Sequence, residues 1–446
     1  MRRRLLGRLA TAAACATSLI ATLAPTASAG PSSHGSGGSG QQAESSYKRV
    51  GYFTQWGVYG RDFQVKDLDT SGTAARLTHI NYAFGNISTD GKCFTGNVAG
   101  QADAWADYAR PIDAADNIDG VADTAEQKLA GNFNQLRELK AKYPGLKVMI
   151  SLGGWSWSKN FSDSVRTPEA RRALVASCVD LHLKGNLPVD GARGGDGAAA
   201  GLFDGIDVDW EWPGSAGDAG TVFRPEDKAN FTALIAEFRK QIDAYGREQK
   251  KKYELTAYVP AAPAKIDAGF DVKKIIKDFD FVNLQGYDFH VSGEKTTAQQ
   301  SALFARNDYS VNQVVFDWIK RGAPARKLVV GVPFYGQGWT GVSGGGDGLG
   351  QPATGPAPAR YAAGYEDYEE LKKLADSGTY KVHRDLLGGH AWLFDGNTLW
   401  TYDDPIVLRT KAAYIKGLKL GGAMIWSLDA DTPDGELVKS LHKGLS

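Results

Sequence analysis

Three carboxylates alternate with apolar residues between Phe203 and Pro213 of this sequence. Asp207, Asp209 and Glu211 share one face of an extended chain, because residues two apart in a strand point the same way. The opposite face is apolar, which predicts a buried strand. Carboxylates in such a place repel one another and lose their hydration, so the pattern indicates chemistry instead of a structural role.

Carboxyl groups in this arrangement suit the cleavage of a glycosidic bond. The reaction needs an acid that stays protonated near neutral pH, and the charge of Asp209 is expected to raise the pKa of Glu211. Both groups lie on one strand and reach the bond from the same side. The nucleophile is then water or the substrate's own 2-acetamido oxygen, unless another strand end, for instance that of Asp288, supplies a second carboxylate.

The strands that would position these groups recur along the chain. From Tyr47 onward, short apolar runs alternate with helical patterns, which is typical of an α/β fold with a parallel sheet. The predicted strands are Arg49–Thr54, Leu77–Phe84, Lys147–Leu152, Gly201–Trp210, Glu254–Val259, Phe281–Gln285, Leu328–Val332 and Ala423–Ser427. Eight strands favour a (β/α)8 TIM barrel over an open doubly wound sheet, since no Gly-rich phosphate loop follows the first strand.

Two insertions interrupt the predicted catalytic domain, which spans residues 47–446. Residues 85–130 are too long for an ordinary βα loop and are expected to help form the site. Residues 334–402 lie between the seventh strand and its following helix. Their aromatic content favours a small α+β domain over a disordered insert.

Residues 1–29 have the pattern of a secretory signal peptide. Four arginines precede a short apolar run, and Ala27-Ser28-Ala29 has the spacing of a cleavage site. The run is too short for a membrane span, and it suits either the general secretory or the twin-arginine route. Residues 30–46, rich in Gly and Ser, predict a flexible leader. We therefore expect a secreted, extracellular protein without a membrane anchor.

The charge and the cysteine content indicate which classes of partner and which redox compartment suit this protein. The sequence has 51 basic and 51 acidic side chains, so no basic excess indicates a nucleic-acid partner. Cys93 and Cys178 remain after the signal, and an oxidising compartment favours one disulfide over two free thiols. Metal-ligand spacings are not recognisable, so we expect neither metal nor cofactor. The protein is expected to be a monomer.

Aromatic and polar residues recur where the predicted strands end, which is where TIM barrels place their active sites. They are Tyr52, Trp56 and Tyr59 after the first strand, Trp155 after the third, Tyr287 and Asp288 after the sixth, and Trp426 at the eighth. An aromatic floor with polar groups suits sugar rings, whose faces stack while their hydroxyls form hydrogen bonds.

These motifs resemble family 18 glycoside hydrolases, the chitinases. Residues 204–211 fit the family signature DxxDxDxE, residues 151–154 fit its SxGG strand, and further strand ends match in order, so that the likeness extends over about Arg49 to Leu441. The resemblance implies a retaining hydrolysis of β-1,4-linked N-acetylglucosamine through an oxazolinium intermediate. Glu211 would be acid and then base, Asp209 would orient the acetamido group, Asp207 would share its proton, and Tyr287 would hydrogen-bond the same group.

The resemblance also implies how the sugar chain would be held. Asp288 would hold a sugar, Trp426 would floor the subsite before the cut beside a non-proline cis peptide, Trp56 and Tyr59 would be platforms further toward the non-reducing side, and Trp155 would lie beyond the cut. The second insertion resembles the chitinase insertion domain, with Tyr335 at its start and Glu366 in its sugar-facing segment. Gln285 and Gln337 depart from the residues common in relatives.

Two other functions would use similar residues. An endo-β-N-acetylglucosaminidase acting on N-glycans would share the carboxylates, and a non-catalytic chitin-binding lectin would usually lack the terminal Glu, which is present here as Glu211. The aromatic run and the second insertion favour a linear polymer. Chitin and chitooligosaccharides are therefore the expected substrates.

Overall fold

Eight parallel strands close into a barrel in the computed structural model, which describes residues 47–446. The strands are β1 (Lys48–Thr54), β2 (His79–Ile87), β3 (Lys147–Gly153), β4 (Gly205–Asp209), β5 (Glu254–Val259), β6 (Phe281–Leu284), β7 (Leu328–Pro333) and β8 (Gly422–Trp426). The sheet closes because β1 pairs in parallel with both β2 and β8. The predicted (β/α)8 barrel is confirmed, while the predicted signal peptide and leader lie outside the described residues.

Helices surround the barrel. The longest after each strand are α1 (Val65–Thr70), α2 (Gly131–Lys142), α3 (Pro168–Cys178), α4 (Asp227–Gln249), α5 (Pro263–Gly269), α6 (Val311–Lys320), α7 (Pro405–Gly417) and α8 (Glu436–Leu445). Shorter helical turns lie at Gln55–Val58, Ala74–Arg76, Trp105–Ala109, Gly154–Trp157, Phe161–Ser164, Val179–Leu183, Val272–Ile275, Ala325–Lys327 and Leu428–Ala430. None of the helices between residues 47 and 446 combines the length and the apolar content that a membrane span requires.

Local sequence fixes where several helices begin. Thr167 accepts a hydrogen bond from the backbone N–H of Ala170, and Pro168 follows it as the first residue of α3. Asp404 caps α7 in the same way, again followed by a proline. A side-chain acceptor before a proline satisfies the free amides of the first helical turn and presets its backbone.

The strand β4 carries the acidic pattern. It begins at Gly205, four residues later than predicted, because a turn runs to Gly201 and a bend follows at Leu202. Ile206 and Val208 are buried in the apolar core, as the alternation requires. Asp204, just before the strand, accepts a hydrogen bond from the backbone N–H of Val148 at 2.9 Å and thereby supports the pairing of β3 with β4.

The first insertion forms a wall beside the end of β2. Cys93–Phe94 pairs antiparallel with β2, and Asn97–Val98 forms a hairpin with Ala102–Asp103. The predicted disulfide is confirmed, since Cys93 and Cys178 are bonded across a sequence separation of 85 residues. This bond joins the wall to the last residue of α3.

The second insertion is an antiparallel sheet with one helix. Its strands are Tyr335–Thr340, Gly355–Pro356, Tyr365–Asp367, Lys381–Asp385, His390–Phe394 and Leu399–Tyr402, and its helix is Tyr368–Asp376. It has a small apolar cluster of its own, in which Trp339 and Leu399 are fully buried. The segment therefore combines strands, a helix and a separate core, as an α+β arrangement requires.

One arginine fastens this second insertion to the barrel. Arg61, after β1, donates two hydrogen bonds to the carboxylate of Asp367, at 2.9 and 3.0 Å. Its Nε also lies 3.3 Å from Asp429, which follows β8, and its guanidinium stacks over Tyr361 at 4.2 Å. The pairing is bidentate and mostly buried, which makes it stronger and more specific than an exposed ion pair.

We expect removal of the disulfide to destabilise the protein. Cys93→Ser should lower the free energy of unfolding by about 2–5 kcal/mol, because the open chain regains the entropy that the cross-link removed. Urea unfolding followed by circular dichroism measures this. Cys178→Ser and the double variant should lose the same amount, since each removes the same bond. If all three variants are as stable as the parent when no reductant is present, the disulfide assignment is wrong.

Candidate active site

Asp207 lies in the interior of the barrel and is completely buried. Its carboxylate accepts hydrogen bonds from four strands, with donors Tyr52 Oη at 2.8 Å, Ser151 Oγ at 2.8 Å, Thr256 Oγ1 at 2.5 Å and Asn283 Nδ2 at 3.4 Å. Burial raises the pKa of Asp207, and these four donors oppose that rise by stabilising the charged form.

Asp209 lies two residues further along β4 and has a different environment. It is only 3% exposed, and its Oδ1 is buried without a hydrogen-bond partner in the described structure. Burial raises the pKa of Asp209 well above its ordinary value, and the charges of Glu211 and Asp207 raise it further. A buried acceptor without a donor is unfavourable, so this oxygen is suited to a donor on a bound ligand.

Glu211 follows the end of β4 and faces the cavity. Its backbone N–H donates to Ser158 Oγ at 2.8 Å, which fixes the residue at the rim of the barrel. Burial raises the pKa of Glu211 to about 8, while the charge of Lys265 lowers it and that of Asp288 raises it. The expected direction is therefore found, but its main cause is burial, whereas the sequence reasoning assigned it to the charge of Asp209.

A cavity of about 870 Å³ opens above these carboxylates. It is lined by Tyr52, Trp56, Phe84, Gly100, Gly153, Trp155, Ser156, Trp157, Asp209, Glu211, Trp212, Tyr258, Lys265, Gln285, Tyr287, Asp288, Val291 and Trp426. The structure thus brings together eight of the predicted site residues. A cavity of this size, mostly apolar with a few polar groups, suits a ligand of several rings.

Aromatic rings form the floor and rims of the cavity. Trp426 stacks with Phe84 at 5.8 Å between ring centroids and meets the edge of Tyr52 at 5.3 Å. The peptide between Trp426 and Ser427 is cis, as the resemblance implied. Trp56 is 42% exposed and Trp155 is 49% exposed, so both present open ring faces to the groove.

Asp207 and three other predicted site residues lie outside the cavity lining. Asp207 is beneath it. Tyr335 is buried and donates a hydrogen bond to Asp288 at 2.6 Å, so it supports the site from behind. Tyr59 is exposed and donates to Asp103 at 2.7 Å, and burial of its hydroxyl together with that bond raises its pKa to about 12.

Glu366, one of the predicted sugar contacts, is hydrogen-bonded within the second insertion. Its carboxylate accepts hydrogen bonds from the backbone N–H groups of Arg360, at 2.9 Å, and Asp367, at 3.2 Å. The residue is 7% exposed. Its acceptors are thus used to hold the second insertion together.

Sequence reasoning missed several residues that complete the site. Tyr258 stacks with Tyr287 at 6.3 Å, and its place at the carboxyl end of β5 was a signal that could have found it. Lys265 lies in α5 and gave no such signal. Gln337 was noted only as a departure from relatives, yet its Nε2 donates to Asp288 at 2.9 Å. The described residues contain no cluster of three acidic, His or Cys side chains that could hold a metal ion.

Comparison with known proteins gives the family. Residues 48–431 match the family described as Glycosyl hydrolases family 18. The chain belongs to glycosyl hydrolase family 18. The residues that fit the family signature by sequence, 204–211, lie on β4 and directly beside its two ends.

Named relatives of this family are similar over most of the chain. Chitinase C of Streptomyces lividans is 39% identical over 90% of this chain and 60% of its own length, and Chitinase A1 of Niallia circulans is 34% identical over 87% and 57%. The chain thus spans about 60% of the length of these relatives. The catalytic domain of a psychrophilic chitinase B from Arthrobacter TAD20 is 47% identical, with a TM-score of 0.86, over 90% of this chain and 95% of that one.

The raised pKa of Glu211 predicts a pH-dependent effect on stability. Because its pKa is about 8 in the folded state and about 4.3 in an unfolded chain, its contribution is complete below pH 4.3 and is lost as pH rises to 8. Glu211→Gln does not titrate. Its advantage in unfolding free energy over the parent should grow by about 2–4 kcal/mol between pH 5 and pH 8 and then stay constant.

Urea unfolding at four pH values from 5 to 9 measures this difference. The matched control is Glu126→Gln, at an exposed glutamate of the first insertion, which should follow the parent at every pH. Parallel pH profiles for Glu211→Gln and the parent would show that Glu211 ionises in the folded protein as it does in the unfolded chain.

Proposed function

We propose that this chain is a secreted chitinase that hydrolyses β-1,4-linked N-acetylglucosamine polymers with retention of configuration. Catalysis would be assisted by the substrate, whose 2-acetamido oxygen attacks the anomeric carbon and forms an oxazolinium intermediate. Membership of family 18 supports this activity.

The unpartnered Oδ1 of Asp209 is the observation that carries the proposal. This oxygen is buried next to the general acid and has no donor in the described structure. An acetamido N–H is a donor of the right kind, and accepting its hydrogen bond would turn the amide oxygen toward the anomeric carbon. A sugar with a free hydroxyl at this position would supply no such internal nucleophile.

Glu211 would supply both proton transfers. It faces the cavity with a pKa of about 8, so it is protonated near neutral pH and can protonate the leaving glycosidic oxygen. Once ionised, it can take a proton from the water that opens the oxazolinium ring. Asp209 would stabilise the positive charge of that ring. Asp207, which lies beneath Asp209, would act on Asp209 through its charge.

Two tyrosines and one aspartate would fix the sugar before the cut. Tyr287 is held against Tyr258, whose hydroxyl donates a hydrogen bond to that of Tyr287. The Tyr287 hydroxyl itself donates to the weak acceptor Met424 Sδ at 4.0 Å, so it is suited to donate to the acetamido group instead. The Oδ1 atom of Asp288 accepts hydrogen bonds from Tyr335 and Gln337. These bonds orient Asp288 toward binding a hydroxyl, and this use of its carboxylate argues against a role as nucleophile.

Chitin is the substrate that best suits the cavity. Trp426, Trp56 and Trp155 all line the cavity, and the two exposed rings offer faces on which sugar rings can stack. Several similar proteins are named chitinases, including one from Bacillus thuringiensis that is 30% identical with a TM-score of 0.75. An endo-β-N-acetylglucosaminidase and a chitin-binding lectin are the alternatives that the experiment must separate.

Export is supported by two independent features. The first 29 residues have the signal-peptide pattern described above, and Cys93 is bonded to Cys178. Disulfides persist mainly in oxidising compartments. The proposed location is therefore extracellular.

The time course of products from a chitin hexamer tests the proposed activity. We expect hydrolysis with the β-anomer formed first, because attack by the acetamido oxygen followed by water inverts the configuration twice. Glu211→Gln should lower kcat by at least about 10³-fold, since it removes the acid, and should leave oligomer binding intact. Products are followed by NMR, and binding by calorimetry.

Each competing outcome has its own reading. Initial formation of the α-anomer would reject the retaining mechanism, and unchanged turnover in Glu211→Gln would reject this residue as the acid. Binding without hydrolysis in the parent would assign the lectin function. Cleavage of N-glycan cores but not of chitin would assign the endo-β-N-acetylglucosaminidase.

Deacetylated substrate provides a second test. A hexamer of glucosamine lacks the acetamido oxygen, so we expect its kcat/KM to fall by at least about 10³-fold relative to the chitin hexamer. Asp209→Asn should lower kcat on the chitin hexamer while changing little on the poor substrate. Equal rates on both hexamers would mean that the nucleophile comes from water or from the protein.

A further inference from the structure

Lys265 places a positive charge in the cavity without an ion-pair partner. It lies in the first turn of α5, just after β5, and lines the same cavity as Glu211. Its ammonium stacks over the ring of Trp212 at 5.0 Å, and Trp212 directly follows Glu211. Among residues 47–446, no carboxylate forms an ion pair with this ammonium, so its charge is free to act on the acid.

Asp288 places a negative charge in the same cavity from the end of β6. Its Oδ1 accepts hydrogen bonds from Tyr335 at 2.6 Å and Gln337 at 2.9 Å. Both donors are neutral, and no cation of the described residues pairs with this carboxylate. Gln337 is itself fixed, because its Oε1 accepts a hydrogen bond from the backbone N–H of Ser292 at 3.1 Å.

We propose that Lys265 and Asp288 act as opposed charges on Glu211, and that the neutral amide of Gln337 leaves the negative charge of Asp288 uncompensated. The balance of the two charges would set the alkaline limit of catalysis. The inference rests on the proposed function, for which Glu211 is the general acid. Lys265 and Gln337 are positioning residues in this scheme, because they act through Glu211.

A nearby charge favours one of the two protonation states of Glu211 over the other. A cation stabilises the carboxylate and therefore makes Glu211 a stronger acid, whereas an anion has the opposite effect. The directions agree with the lowering of its pKa by Lys265 and the raising by Asp288. A residue that is first acid and then base needs a pKa near the working pH, so neither charge can dominate.

Other charged and titratable groups near Glu211 do not replace this pair. Asp207 and Asp209 lie on β4, where burial raises the pKa of both, and they are the same in every variant compared. The two tyrosines, Tyr258 and Tyr287, stay neutral because their pKa values are raised well above their ordinary range. On the side of β3, Lys159 is paired with Asp218 at 3.6 Å.

The pH dependence of kcat/KM on a chitin oligomer tests the proposal. Lys265→Met should move the alkaline limb up by about 0.5–1 pH unit, because it removes a cation. Gln337→Arg should move the limb down by about 0.5–1 unit, since a guanidinium would neutralise Asp288. Two substitutions that shift the limb in opposite directions cannot both act through general damage to the fold.

Two controls separate charge from geometry. Lys240→Met removes an equivalent charge from the exposed surface of α4, where Lys240 is 70% exposed, and should leave the limb in place. Gln337→Leu removes the hydrogen bond to Asp288 without adding charge. It should lower kcat/KM and leave the alkaline limb within about 0.2 units of the parent.

A second measurement reads the same titration without turnover. In the parent and in each variant, the free energy of unfolding is measured with and without Glu211→Gln at several pH values. The pH at which this difference becomes constant should shift in the same direction as the alkaline limb of kcat/KM. Unmoved values in both Lys265→Met and Gln337→Arg, or movement in the same direction, overturn the proposal. An inactive parent whose stability titration still shifts would instead reject the proposed function alone.

Discussion

The buried carboxylate of Asp207 is the constraint on which the site depends. An ionised carboxylate inside a barrel is strongly unfavourable unless hydrogen bonds replace its hydration, and here β1, β3, β5 and β6 each contribute a donor. The polar residues Ser151, Thr256 and Asn283 therefore occupy interior positions that apolar residues fill in many barrels. Because the donors come from four strands, one carboxylate fixes how the ends of those strands meet.

Polar satisfaction decreases along β4 toward the cavity. Asp207 has four donors, Asp209 has a buried oxygen with none, and the carboxyl group of Glu211 opens to the groove. Near the cavity, the strand therefore has a hydrogen-bond acceptor that a ligand can use. Deeper in the barrel, the acceptors of Asp207 are already bonded to the protein. Burial, more than repulsion between neighbours, is what keeps the outer carboxyl group protonated. The closed barrel itself is therefore part of the acid chemistry.

Much of the fold and the centre of the site could be predicted from the sequence, because both depend on local patterns. The period-two alternation located β4, the strand-end rule located Trp426 and Tyr287, and an oxidising environment favoured the disulfide. The contacts of Lys265 and Gln337 could not be predicted, since they depend on where a helix turn and an insertion lie in space. For the same reason, the sequence did not indicate that the carboxylate of Glu366 is held by backbone amides.

The Arg61 pairing has a consequence for how this family member can change over generations. Arg61 lies between Asp367 of the second insertion and Asp429 of the loop after β8, and these two carboxylates are nearly inaccessible to solvent. Losing the arginine alone would leave two buried like charges facing each other, which is worse than losing a bond. Arg61, Asp367 and Asp429 can therefore change only together during evolution. An insertion transplanted from a relative would need the arginine and the aspartate that match it in the barrel loops.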